Sequence, residues 1–251
     1  MSLHTEVEGT GLRIVLVHGF TQTSECWNGI ADDLSGDHEV VRVDAPGHGR
    51  SEHADADLWQ GAELLGVAGG VATYLGYSMG GRLCLHLALA RPDLVEGLVL
   101  VGATAGIRDA DERAKRAEAD DERAAHLEEI VVDAFIDEWL SQPLFATLPR
   151  DAAAIDARRA NTVEGLAASL RAAGTGRQEP LWDRLHELAM PILVIAGELD
   201  LRFGDLGREM AAAIGPNAAF VEVPGAGHTA HLEQPGAFLE ILRRWLADLT
   251  R

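Results

Sequence analysis

The sequence predicts an α/β fold with a mostly parallel central sheet, helices on both faces and one helical insertion. Three observations predict it. Short aliphatic runs alternate with helical patterns. The alternation lapses once, between Ile107 and about Glu187. Residues able to do chemistry follow directly after several of the aliphatic runs, where open parallel sheets carry their ligands.

The aliphatic runs are Arg13–Val17, Val40–Asp44, Val71–Leu75, Leu98–Val101, Ile192–Ala196 and Phe220–Val223. Their near-continuous apolar character suits parallel strands buried on both faces. Met79–Ala90 and Gly236–Leu249 read as helices between or after them. The stretch 107–187 is rich in Ala, Arg, Glu and Asp. In it Val131, Val132, Phe135, Ile136, Trp139 and Leu140 recur at helical spacing. It reads as a helical cap, and residues 1–106 and 188–251 as the core that carries it. Gly66, Gly69 and Gly70 precede the Val71–Leu75 run, so the helix before that strand is expected to be short or irregular.

Composition narrows the function classes. The 251 residues suit one domain with a modest insertion, and 47% apolar content can bury a sizeable core. A formal net charge of −19 disfavours nucleic acid and anionic membrane as partners. Lys115 is the only lysine, a bias open to two readings: codon usage with solubility, or adaptation to a salt-rich cytoplasm. Cys26 and Cys84 fit no metal-ligand spacing, and Cys84 in its apolar helix reads as a small core residue. Met1–Gly11 carries Glu6 and Glu8 without an apolar stretch, and no run is long enough to span a bilayer. A cytoplasmic protein is expected. Nothing in the sequence sets an oligomeric state.

The strongest chemical signal is Gly76-Tyr77-Ser78-Met79-Gly80, a G-x-S-x-G turn placed after a strand and before a helix. Such a turn lifts the serine hydroxyl above the sheet. The helix that follows supplies positive potential where an oxyanion develops. It resembles the nucleophile elbow of the α/β-hydrolase fold, which implies the chain order serine, acid, histidine. Asp200 follows the Ile192–Ala196 run and His228 follows the Phe220–Val223 run, so both fall in that order. Glu198 is the rival acid; it lies nearer the strand and is expected to point elsewhere. His231 is the rival histidine and is expected to make a structural hydrogen bond.

Two backbone N–H groups complete the chemistry, those of Met79 and of Phe20 in His18-Gly19-Phe20. His18, and His48 in Asp44-Ala45-Pro46-Gly47-His48-Gly49, read as loop organisers. A serine rather than an aspartate at the elbow disfavours dehalogenase and epoxide-hydrolase chemistry. No metal constellation or dinucleotide glycine fingerprint is present, so no cofactor is expected.

Arg82 stands one helical turn after Ser78 on the same face, where a small or apolar residue would ordinarily pack. It either binds a substrate carboxylate or pairs with a nearby acid. Arg113, Arg116, Arg158, Arg159 and Arg171 are further candidates in the insertion, and pattern alone does not choose among them.

Several stretches resemble the 2-succinyl-6-hydroxy-2,4-cyclohexadiene-1-carboxylate synthase family of menaquinone biosynthesis. They are Leu16–Phe20, Gly76–Arg82, Glu112–Arg116, Trp139–Phe145, Arg159–Asn161, Leu170–Trp182 and Gly227–His231. Arg82 after a Tyr-containing elbow and the Trp-x-x-Gln-Pro-x-Phe motif are the specific parts of the likeness. The resemblance implies a lyase acting on a small anionic substrate with three carboxylates. In it the histidine-activated serine removes a proton next to the succinyl ketone, and pyruvate is expelled across the ring. It implies carboxylate binding by Arg82, Arg116 and Arg159, with Tyr77 and Trp139 in the pocket. Arg158, beside Arg159, leaves that register open by one. The alternatives on the same residues are a carboxylesterase or carbon–carbon bond hydrolase, and a binding protein on a hydrolase scaffold.

Overall fold

A computed structural model describes residues 2–249. Its sheet runs in the order β1 (Thr5–Gly9), β3 (His38–Val43), β2 (Leu12–Val17), β4 (Ala72–Tyr77), β5 (Val95–Val101), β6 (Ile192–Gly197), β7 (Ala218–Val223). β1 pairs antiparallel with β3, and all other pairings are parallel. The six strands expected from the sequence are present with ends shifted by a few residues. β1 was not expected. Its only aliphatic side chain is Val7, and it holds the sheet edge partly through Glu6 and Glu8 ion-paired to Arg42 of β3.

The two-sided burial that made the strands legible is visible residue by residue. Val15 and Val17 of β2 face one apolar core, and Ile14 and Leu16 face the other. The first core is closed by α2 (Leu58–Gly69), α3 (Met79–Ala90) and α8 (Leu201–Ile214). The second is closed by α1 (Asn28–Leu34) and α10 (Pro235–Leu249), with Trp27, Phe238 and Leu242 at its centre. Cys84 is fully buried in the first core.

α2 corrects an expectation. It is a regular 12-residue helix, started by a capping box between Asp57 and Gln60. Its glycines weaken helix propensity but let it lie close on α3: a Cβ at Gly61 would meet Leu83 at 2.8 Å.

Between β5 and β6 every described element is helical: α4 (Ala110–Glu129), α5 (Val132–Leu140), α6 (Ile155–Arg159) and α7 (Val163–Ala173), with short 3-10 turns. Of these, α4, α5 and α7 share a third apolar cluster of Leu127, Phe135, Ile136, Leu166 and Leu170. Phe20, from the loop after β2, packs into that cluster. A short helix, α9 (Ala230–Glu233), precedes α10.

Register positions the chemistry. Val17 pairs with Gly76, Tyr77 with Val101, Val101 with Ile195, and Gly197 with Val223. The loops after β2, β4, β6 and β7 therefore leave the sheet along one carboxyl edge.

Candidate active site

Ser78 sits between β4 and α3 with φ 52° and ψ −108°. That strained backbone is rare for a residue with a side chain. Two close approaches hold it. A Cβ at Gly76 would come within 2.4 Å of the Gly80 carbonyl, and one at Gly80 within 2.2 Å of the Val17 carbonyl. Only glycine fits either place, so the turn closes tightly and its serine is thrust upward.

His228 faces Ser78. Its Nδ1–H donates to Asp200 Oδ2 at 2.7 Å, and the Ser78 hydroxyl donates to its Nε2 at 3.4 Å. The second contact is long, as such contacts often are without substrate. Asp200 caps α8 by accepting from the Phe203 N–H, so one carboxylate both starts a helix and orients the imidazole. Glu198 instead accepts from the Gly225 N–H, away from His228.

The loop after β2 lies beside the serine because β2 neighbours β4. Its histidine works as expected: His18 Nδ1–H donates to the Gly19 carbonyl, and the Ala45 N–H donates to His18 Nε2. His48 receives the Thr21 N–H and donates to the Pro46 carbonyl. Burial lowers both histidines, His48 to about 3, so both are neutral braces. Phe20 and Met79 line the cavity with Ser78; Met79 opens α3, where an amide has no carbonyl one turn back.

The cavity has a volume of about 320 Å³ and reaches from Ser78 and His228 to Arg82, Arg116 and Trp139. Arg82 is buried, and its Nη1 donates to the Ala173 carbonyl at 2.8 Å. Burial, then the neighbouring Arg116, lowers it to about 10, with Asp120 opposing, so it stays charged at neutral pH. Among the described residues Arg82 makes no ion pair. Arg116 donates through Nε to Asp120. Trp139 packs against Phe20 with ring centroids 4.9 Å apart, and its Nε1 is buried without a partner among the described residues.

Three placements differ from expectation. Arg159 does not line this cavity; it is half-exposed and faces Asp133 and Asp137, each at 3.7 Å. Neighbouring residues on a helix point about 100° apart, and it is Arg158 that turns inward. Arg158 donates to the Ala153 carbonyl and to Thr21 Oγ1, bracing the loop that carries Phe20. Tyr77 also stays off the cavity wall. Its ring is buried behind the site, between those of His228 and His231, and burial raises its hydroxyl pKa. His231 lacks the hydrogen bond expected of it. Neither ring nitrogen has a hydrogen-bond partner among the described residues, and the ring stacks on Trp27 at 4.2 Å.

Sequence reasoning gave no role to Arg123, Gln142 or Arg202, all on the cavity wall, although Gln142 belongs to the Trp-x-x-Gln-Pro-x-Phe motif. Arg123 had a signal, seven residues after Arg116 on one helix; Arg202, two residues after Asp200, had none. No group of His, Cys, Asp and Glu among the described residues could hold a metal ion, and none of their helices is long and apolar enough to cross a membrane.

Comparison with known proteins gives consistent findings. A model of the alpha/beta hydrolase family matches residues 14–241. A Bacillus subtilis (strain 168) protein, named provisionally as a 2-succinyl-6-hydroxy-2,4-cyclohexadiene-1-carboxylate synthase, is 33% identical; the match covers 94% of this chain and 90% of that one. The synthase of that name from Enterobacter sp. (strain 638) is 31% identical, with 94% and 93% covered. The structure of MenH from S. aureus superposes with a TM-score of 0.91 at 28% identity, covering 99% of each chain.

Proposed function

The chain belongs to the 2-succinyl-6-hydroxy-2,4-cyclohexadiene-1-carboxylate synthase family within the α/β-hydrolases, and on that premise we infer how it acts. It is a carbon–oxygen lyase. It eliminates pyruvate from 2-succinyl-5-enolpyruvyl-6-hydroxy-3-cyclohexene-1-carboxylate to give 2-succinyl-6-hydroxy-2,4-cyclohexadiene-1-carboxylate.

Ser78, His228 and Asp200 form the proton-transfer system in this reading. His228 takes the Ser78 proton, and the serine oxygen removes the proton next to the succinyl ketone. Electron density moves onto the ketone oxygen, where the Phe20 and Met79 N–H groups receive it. As the carbonyl re-forms, the ring gains its second double bond and the carbon–oxygen bond to the enolpyruvyl group breaks. The departing enolate takes a proton and becomes pyruvate. Asp200 keeps His228 in the tautomer that accepts at Nε2 and stabilises the imidazolium.

Arg82 and Arg116 bind substrate carboxylates, and Trp139 packs against the ring. Residues 107–187 act as the cap that closes this pocket over the core formed by 1–106 and 188–251. The observation carrying the proposal is that one cavity is lined both by Ser78 and His228, the latter held by Asp200, and by a desolvated Arg82 that makes no ion pair among the described residues. A neutral-ester pocket has no use for that cation.

The test is pyruvate release from the enolpyruvyl substrate, assayed beside hydrolysis of a neutral aryl ester. Release that outpaces ester hydrolysis supports the lyase. Ester hydrolysis with no pyruvate formed overturns it.

A further inference from the structure

The cavity holds more positive charge than the two arginines of the proposed reading. Arg123 lies seven residues after Arg116 and three after Asp120, so all three share one face of α4. Asp120 is fully buried. Its Oδ1 accepts from Arg116 Nε at 2.8 Å and from Arg123 Nη1 at 3.2 Å, and its Oδ2 accepts from the Gly176 N–H at 3.3 Å. One carboxylate thus serves two guanidinium groups, with Arg82 as a third cation on the same cavity.

That arrangement is poorly explained as scaffolding. Arg116 and the Gly176 amide already engage both oxygens of Asp120, and a second guanidinium on one of them leaves the cluster with excess positive charge. Excess positive charge in a partly desolvated wall is costly unless an anion joins it. The side chains of Arg116 and Arg123 are 35% and 32% exposed, and both line the cavity. Among the described residues each donates one hydrogen bond only, to Asp120. Four donors of each guanidinium therefore remain available. The Arg123 Cζ stands 5.8 Å from the Trp139 ring centroid, and the Nε1 of that ring is another buried donor without a partner among the described residues.

We propose that Arg123 binds the substrate directly, joining Arg116 in a second carboxylate seat on the cap side, distinct from the one at Arg82. Asp120 is the positioning residue that holds both guanidinium groups toward the cavity. The pocket is then selective for ligands with at least two carboxylates. In a chain of net charge −19, this wall concentrates the field that draws such ligands in. The inference deepens the lyase reading and rests on it for the identity of the substrate.

Two measurements test it. Calorimetric titration reads the binding of propane-1,2,3-tricarboxylate and of propionate to wild type, Arg123→Gln, Arg123→Lys, Asp120→Asn and the Asp120→Asn/Arg123→Gln double variant. Steady-state pyruvate release reads KM and kcat. Arg123→Gln should weaken tricarboxylate binding about 10-fold, weaken propionate binding far less, and raise KM with kcat nearly unchanged. Arg123→Lys should recover part of the loss. In the Asp120→Asn background, where Arg123 has lost its anchor, Arg123→Gln should weaken binding less than it does in wild type. A tricarboxylate affinity unchanged by Arg123→Gln overturns the seat, as does a wild type that fails to bind the tricarboxylate. An Arg123→Gln effect as large in the Asp120→Asn background as in wild type overturns the positioning role of Asp120. If tricarboxylate binding depends on Arg123 while wild type releases no pyruvate, the seat stands and the lyase reading fails.

Discussion

The sheet wall of the cavity and its helical wall hold their functional groups by different means. On the sheet wall the backbone does the positioning: Ser78 is held at φ 52° by glycine contacts with no room for a Cβ. Asp200 and His228 follow strands whose register brings Gly197 beside Val223. On the helical wall side chains position one another. Arg116 and Arg123 depend on Asp120, and Arg82, rooted in α3, reaches across to the Ala173 carbonyl of α7. Chemistry that is built into a backbone should fail as a unit when altered, whereas recognition spread over side chains should fail by degrees.

Removing the nucleophile gives the sharpest test of that contrast. Ser78→Ala should lower pyruvate release by roughly 10³–10⁶-fold, because members of such a set act together. Near-normal turnover in a folded variant would place the chemistry elsewhere. Next in size, Asp200→Asn should cost about 10⁴-fold by leaving His228 in the wrong tautomer. Glu198→Gln, whose carboxylate serves a turn amide, should stay close to wild type; the reverse ranking would exchange the two acids.

On the helical wall, Arg82→Ala should remove about 2–5 kcal/mol of transition-state stabilisation, read from kcat/KM, since a desolvated carboxylate loses its partner. An unchanged kcat/KM would leave Arg82 as a brace for α7.

Behind both walls lies a region where pH is the probe. Burial lowers His48 and His231 to about 3 and His86 to about 4. The unfolded chain, with histidines near 6.5, therefore binds more protons than the folded one below that pH. Stability should be full above pH 6.5 and fall as the pH drops toward 4. Each such histidine contributes up to about 1.4 kcal/mol per pH unit. Replacing His231 with Gln should flatten the fall in Tm across that window; an unaltered slope would clear His231 of the effect.

The smallest effect is expected at Arg159. It spans half-exposed carboxylates outside the cavity, so Arg159→Ala should change kcat/KM by less than about threefold. A large rise in KM would return Arg159 to the substrate.

What could be read from the sequence follows the same division. The strands were legible because both faces of the sheet are buried, and the elbow because its glycine spacing is a backbone requirement. β1 was hidden because an edge strand with one aliphatic residue carries no apolar signature. The irregularity expected of α2 failed because glycine there serves packing against α3, which propensity does not register. His231 was given a hydrogen bond that the fold replaces with a stack on Trp27.

By itself the sequence determined the α/β order, the position of the elbow and the acid and histidine that follow it. These depend on local backbone geometry and chain order. Only the tertiary structure decided which arginines face the cavity. It turned Arg158 inward beneath the Phe20 loop, left Arg159 on surface carboxylates, and drew Arg123 to the wall through Asp120. Where a long charged side chain comes to rest depends on partners far away in the chain, and a one-residue step around a helix is enough to reverse it.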